Sequence, residues 1–266
     1  MKRNYVTIGV ALILCFAPLL FLSGCSIYDP ARGPESRFTH IFDGETLNGW
    51  KGDPVYWRVE DGNLVGEVTA ETILDRNTFI IWQEAQPSDF ELKLEYRISS
   101  LGNSGINYRS QIMDDHPYAL TGYQADIDGR NRFTGQNYEE RGRTTLAYRG
   151  QKTILPPLDT PLGPDGLRPF IKKNKWTKAV VTDELGDKDD LVAHVKNQDW
   201  NSMHIVAHGN RLRHYVNGVL MSDVTDNDPI HKRASGHIGV QVHVGPPMKV
   251  EFRNIMLKKL EGDRLD

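Results

Sequence analysis

The chain has 266 residues, 39% hydrophobic and 25% charged, with 32 Lys+Arg against 35 Asp+Glu and a formal net charge of −3. That composition is globular and long enough for one large β domain or two small ones. The acidic balance argues against nucleic acid as a partner, because nucleic-acid binding needs a basic footprint.

The first element is a targeting segment. Lys2 and Arg3 precede an almost wholly apolar run from Val6 to Leu22, short for a membrane span and interrupted by Pro18. Leu22-Ser23-Gly24-Cys25 closes it, the small-residue box at which bacterial lipoproteins are cleaved before the cysteine. Residues 1–24 are therefore expected to be a signal peptide and Cys25 the lipid attachment point. Residues 25–37, with Pro30, Gly33 and Pro34, are expected to form a tether. Ser26, where an inner-membrane retention signal would place Asp, points to an outer-membrane lipoprotein of the cell envelope, periplasmic or surface-facing. Cleavage removes two basic residues and no acid, so the mature chain carries 30 basic against 35 acidic side chains, a net charge near −5. With Cys15 lost and Cys25 acylated, no disulfide forms and no thiol remains for catalysis or zinc.

From about 38 to 262 the patterning describes a single all-β domain. Strands are expected near 55–59 and 63–68. Phe90, Leu92, Leu94, Tyr96 and Ile98 then alternate with Glu91, Lys93, Glu95 and Arg97, a half-buried strand with a charged exterior. Further strands are expected near 104–111, 122–128 and 143–149, and Tyr138 to Arg143 reads as a solvated charged loop. Residues 150–175, with Pro156, Pro157, Pro161, Pro164 and Pro169, read as a long excursion loop. One short helix is expected near 187–196, opened by acids, closed by His194 and Lys196, with Leu191 and Val195 four apart.

A strand near 202–208 follows, carrying His204 and His208. Asn217-Gly218 then sits between two apolar runs and supplies the positive φ angles of a type I′ hairpin turn. Residues 236–244 alternate without a miss: Ile238, Val240, Val242 and Val244 on one face, His237, Gly239, Gln241 and His243 on the other. In the last strand, 249–259, the alternation slips by one near Asn254, as a β-bulge would make it. About a dozen strands with turns between them imply a two-sheet sandwich.

Three polar strand faces could carry chemistry. Gly105, Asn107, Arg109 and Gln111 share one, Gln124, Asp126 and Asp128 a second, and Gln241 and His243 a third. Brought together in a concave sheet they would offer carboxylates, an imidazole, a guanidinium and amides, a set suited to acid–base work. Each has a plainer explanation. The Asp pair could be solvated, Arg109 could pair with Asp126 or Glu95, and a strand histidine is often structural. His204, His208 and His214 read as surface residues with no metal-site spacing. The tryptophans read as core and rim packing. Nucleophile elbow, P-loop and dinucleotide fingerprints are missing from the sequence.

Several stretches together carry a resemblance. They are Phe42-Asp43-Gly44-Glu45-Thr46-Leu47-Asn48-Gly49-Trp50, Trp57-Arg58-Val59-Glu60-Asp61-Gly62, Asn103-Ser104-Gly105-Ile106-Asn107-Tyr108-Arg109 and Gly122-Tyr123-Gln124-Ala125-Asp126-Ile127-Asp128. Trp200-Asn201 before the hairpin, Gly239-Val240-Gln241-Val242-His243 and Phe252-Arg253-Asn254-Ile255 complete the set. Over about 40–260 the chain resembles the 3-keto-disaccharide hydrolase domain family. The resemblance implies a concanavalin A-like jelly-roll sandwich in an extracytoplasmic bacterial protein acting on sugars oxidised at C3. The family commonly carries Glu-Xaa-Gln where this chain has Gln124-Ala125-Asp126.

The expected activity is cleavage of 3-keto-glycosides or 3-keto-disaccharides by C2 proton abstraction, elimination and hydration. His243 and Asp126 are expected to transfer protons, with Arg109 as the electrophile for the enolate. Asn107, Gln124, Asp128 and Gln241 are expected to bind hydroxyls. A divalent metal (Ca, Mg or Mn) held by Asp126, Asp128 and His243 could replace Arg109. The alternative is a lectin-like carbohydrate-binding module without catalysis. A third reading, a glycosidase with paired carboxylates, would use Asp126 and Asp128, about 7 Å apart along one strand.

Overall fold

The computed structural model describes residues 38–260; the signal segment, Cys25 and the tether lie outside the described residues. The chain opens with β1 (Thr39–His40), β2 (Trp50–Lys51), β3 (Trp57–Glu60), β4 (Asn63–Val68), β5 (Thr78–Trp82) and β6 (Phe90–Ile98). It continues through β7 (Asn103–Met113), β8 (His116–Asp128), β9 (Asn137–Glu140), β10 (Thr144–Ala147) and β11 (Gln151–Leu155). After α1 (Pro164–Lys173), β12 (Val180–Glu184) and α2 (Lys188–Val192) come β13 (Asn201–His208), β14 (Arg211–Val216) and β15 (Val219–Asp226). The chain ends with β16 (His237–Val242) and β17 (Met248–Lys259).

The strands form two sheets, the jelly-roll sandwich expected. The larger has ten strands in the order β12-β11-β15-β14-β13-β6-β17-β4-β3, with β1 also paired to β17. The smaller has seven, in the order β10-β9-β8-β7-β16-β5-β2. Neighbours run antiparallel except β11 and β15, which are parallel. The inner faces meet in one core that includes Trp57, Phe90, Tyr96, Ile106, Ile127, Val240 and Phe252. β6 alternates buried and half-exposed residues along its whole length, as its period-two sequence requires. Asn217 (φ +49°) and Gly218 (φ +80°) make the turn between β14 and β15. The bulge falls in β17 between Arg253 and Met256, with Asn254 at φ +51°.

Four expectations change. Residues 150–175 are not a loop: β11 adds to the large sheet, and Pro164 opens α1 at the first helical position, where a missing N–H leaves nothing unsatisfied. Tyr138 and Glu139 belong to β9, paired with β8, and Glu139 and Arg143 are buried instead of solvated. Their burial follows from mutual neutralisation: Arg143 takes Glu139 and Asp226 in ion pairs of 2.7 and 2.6 Å. His214 faces the interior, fully buried between Tyr108 Oη (2.8 Å) and the Gln136 carbonyl (3.3 Å). Finally, β16 ends at Val242, so Val244 is exposed and His243 lies beyond the strand. Among the described residues no helix is long and apolar enough to cross a membrane.

Candidate active site

The outer face of the seven-stranded sheet carries a polar patch beside a small apolar cluster of Phe79, Ile81 and Leu120. β7 and β8 pair Asn107 with Gln124, Gly105 with Asp126 and Asn103 with Asp128, so these six residues share one face. Gly105 is needed there: a Cβ at this position would collide with Gln124 Cδ, so the missing side chain lets the Gln124 amide lie across the strand. The loop after β8 returns beside it, because Asp128 accepts the N–H groups of Phe133 (2.8 Å) and Thr134 (3.2 Å) and so closes a turn. That turn delivers Gln136 to the same face.

A cavity of about 300 Å³ opens here, walled by Asn77, Gln136, Tyr138, Glu140 and His243 around Gln124 and Asp126. Asp126 is buried. Gln124 Nε2 donates to one of its oxygens at 2.6 Å and Gln136 Nε2 to the other at 2.5 Å. Loss of solvent raises its pKa from 3.8 to about 7, and the neighbouring Glu140 and Asp128 charges push the same way against the two amides. Glu140 is also raised by burial, with Asn77 Nδ2 donating to it at 3.2 Å. Tyr138 stays a neutral phenol, its pKa raised by burial and by the Glu140 charge. His243 Nδ1 lies 2.5 Å from the Val244 carbonyl. A carbonyl accepts, so Nδ1 carries the proton and Nε2 keeps the lone pair. Burial lowers the pKa of this imidazole and favours the neutral ring. The site thus holds a carboxyl poised near neutrality and a neutral imidazole with its basic nitrogen available, a pair able to exchange protons with a ligand at neutral pH.

The sequence-predicted residues divide. Asp126, Gln124 and His243 line the cavity, and Gln241 lies directly beneath, donating to Gln124 Oε1 at 3.3 Å. Asn107 is fully buried beside Gln124 in register and meets Ser110 Oγ at 3.4 Å. Asp128 is buried and does not line the cavity: its Oδ1 is taken by its own turn, and its Oδ2 faces Arg132 Nε at 3.5 Å. That also removes it as the second carboxylate of a glycosidase pair.

Arg109 is not in the site. The β7–β8 register shifts between Tyr108 and Gln111, and Arg109 sits in that bulge at φ +45°, against Gly236, whose Cβ would come within 2.5 Å of its backbone. The phase break sends its guanidinium away, to Asp89 Oδ1 (2.8 Å) and the carbonyls of Ser88 (2.7 Å) and Gly209 (2.8 Å). The metal set proposed from sequence does not assemble either. Among the described residues no three His, Cys, Asp or Glu side chains converge as a cation site. The residues missed in sequence are Glu140, Tyr138, Gln136 and Asn77. None carried a local signal: Asn137-Tyr138-Glu139-Glu140-Arg141-Gly142-Arg143 is a charged stretch without period-two alternation.

A family model described as the 3-keto-alpha-glucoside-1,2-lyase-like domain matches residues 37–258. A 3-keto-disaccharide hydrolase of Bacteroides thetaiotaomicron is 25% identical over 243 residues, covering 83% of this chain and 78% of that protein. Two crystal structures, each of a “putative glycosyl hydrolase” from Parabacteroides distasonis, share the fold at a TM-score of 0.51. One is 19% identical over 85% of this chain and 95% of its own, the other 18% over 84% and 99%.

Proposed function

Because the chain belongs to the 3-keto-alpha-glucoside-1,2-lyase-like domain family, we propose that it cleaves 3-keto-glycosides by elimination followed by hydration. A ketone at C3 acidifies the C2–H bond, so a single base starts the reaction and no oxocarbenium ion is required. The abstracted proton leaves its electron pair as an enolate across C2, C3 and the ketone oxygen. Collapse of the enolate forms the C1–C2 double bond and breaks the bond from C1 to the leaving oxygen, which takes up a proton. Water then adds to C1 and C2 regains a proton, for net hydrolysis.

The observation that supports this chemistry is the state of Asp126: buried at the cavity floor between two amide donors, with its pKa raised to about 7. A carboxyl near half-protonation serves equally as acid and as base at neutral pH. Asp126 and the free Nε2 of His243 share the two proton transfers. In place of Arg109, the phenol of Tyr138 and the protonated form of Glu140 are the donors available to an enolate oxygen. Gln124 and Gln136 hold Asp126 and present their remaining groups to sugar hydroxyls.

The purified protein should release aglycone from a 3-keto-glucoside and wash deuterium into C2 in heavy water, while the parent glucoside stays inert. Asp126→Asn and His243→Ala should each lower turnover by about a hundredfold or more. Cleavage of the parent at a comparable rate, or of the keto sugar without C2 exchange, refutes the elimination. Tight binding of either sugar with no turnover would instead make the domain a lectin-like module. We further place the domain at the cell envelope on a lipid at Cys25. Cys25→Ala should move it from the membrane to the soluble fraction, and retention of that variant in the membrane would rule the anchor out.

A further inference from the structure

The opposite side of the molecule carries a second recess. It lies on the outer face of the ten-stranded sheet, about 730 Å³, and includes Glu91 of β6, His204 and His208 of β13, Arg213 and Tyr215 of β14, and Lys258 of β17. Strand register puts them side by side: Lys258 pairs with Glu91, Glu91 with Val206, Val206 with Arg213, and His204 with Tyr215. Val206 makes an apolar floor. The His204 and Tyr215 rings stack at 5.4 Å and 25°, forming a flat wall. The volume is in the range that holds a small ligand.

The charges in the recess do not cancel. Glu91 is used on both oxygens, by Lys258 Nζ at 2.8 Å and His204 Nε2 at 3.0 Å. Asp223, opposite Arg213 across the β14–β15 ladder, is held by both arms of Arg211 at 2.9 and 2.5 Å. Arg213 is left without a carboxylate among the described residues. One of its Nη groups donates to Tyr215 Oη at 3.2 Å, and its Nε–H is shielded from solvent with nothing to bond. With no carboxylate beside it, the guanidinium charge stands uncompensated in the recess, and a bound anion would supply the countercharge. The planar donor fork of Arg matches the paired oxygens of a carboxylate or phosphate.

We propose that this recess is an oxyanion-binding site, in which Arg213 takes a carboxylate or phosphate while the ring attached to that group rests on Val206 and against the His204–Tyr215 wall. It lies on a different sheet from the Asp126 cavity and does not depend on the chemistry proposed there. Its natural ligand is either an acidic sugar or a phosphate ester, and the two sources are separable by experiment.

The imidazole resonances of His204 and His208 can be followed while the purified protein is titrated with inorganic phosphate, with glucuronate and with glucose. Saturable shifts are expected for at least one of the two anions and none for glucose. A response to glucuronate alone points to an acidic sugar, and to phosphate alone to a phosphate ester. Arg213→Gln should weaken the anion by about tenfold or more, as loss of a charge-assisted bidentate contact does. Arg213→Lys, which keeps the charge and loses the fork, should weaken it several-fold and decides the matter if the glutamine variant does not fold. Arg168→Gln, the same charge change on the exposed face of α1, should leave affinity unchanged. No saturable shift with either anion, an equal response to glucose, or equal weakening by Arg168→Gln would each overturn the proposal.

Discussion

The state of Asp126 can be tested without any substrate, through Asp126→Asn. In the folded protein its carboxyl is raised from 3.8 to about 7 by burial. A raised acid favours the protonated form, so the fold carries no penalty below pH 3.8. It accumulates one between 3.8 and 7 and carries all of it above 7. The full penalty is about 4 kcal/mol at 1.36 kcal/mol per pKa unit. At pH 5 only the first part has developed, leaving about 2–3 kcal/mol to appear between pH 5 and pH 8. Asparagine is neutral throughout and lacks this slope. Asn also offers one acceptor to the two amides of Gln124 and Gln136, a pH-independent loss of about 1–3 kcal/mol unless one amide rotates. The absolute stability of the variant thus depends on that rotation, but the change in the gap between variant and wild type does not. On moving from pH 5 to pH 8, Asp126→Asn should gain about 5–10 °C in Tm relative to wild type, given about 2–4 °C per kcal/mol in a domain of this size. Calorimetry of both proteins at the two pH values measures it. Glu140 is present in both proteins, so it enters the difference only through its coupling to the Asp126 charge. If the two Tm values run parallel within about 2 °C across that range, Asp126 does not titrate near neutrality and the acid–base role built on it fails.

Arg143→Met should lower stability by about 3–5 kcal/mol, measured by urea unfolding, because it strands the buried carboxylates of Glu139 and Asp226; a loss under 1 kcal/mol would show the cluster to be hydrated. Arg109→Ala should cost about 2–4 kcal/mol through its lost bonds to Asp89, Ser88 and Gly209, while turnover per folded molecule stays unchanged. Gly105→Ala should do the reverse. Its new Cβ displaces the Gln124 amide from Asp126, so turnover should fall by about tenfold or more with a destabilisation of only about 1–3 kcal/mol, read by paired kinetic and melting assays.

Much of the architecture was legible because strand side chains obey a local period of two. The alternation in Phe90–Ile98, the Asn217-Gly218 turn and the phase slip at Asn254 are each settled within a few residues of chain, and each lies in the structure where the pattern put it. The same locality explains why Gln124, Asp126 and Gln241 could be placed on one polar face: their strands keep phase through the site. What failed was whatever depends on a neighbour. Arg109 follows Gly105 and Asn107 in sequence phase, but a bulge seated against Gly236, more than a hundred residues away in the chain, turns it out of the sheet face. Glu139, Glu140 and Arg143 look solvated because charge alone suggests water. Their burial rests on partners brought by β15 and by the loop before β5, which no short stretch of sequence reveals. His214 looks like its surface neighbours His204 and His208 until the register of β14 points it at Tyr108. Period and turn chemistry are written in adjacent residues. Bulges between distant strands, the pairing of buried charges and the loss of solvent that moves Asp126 to about pH 7 arise only when both sheets close on each other.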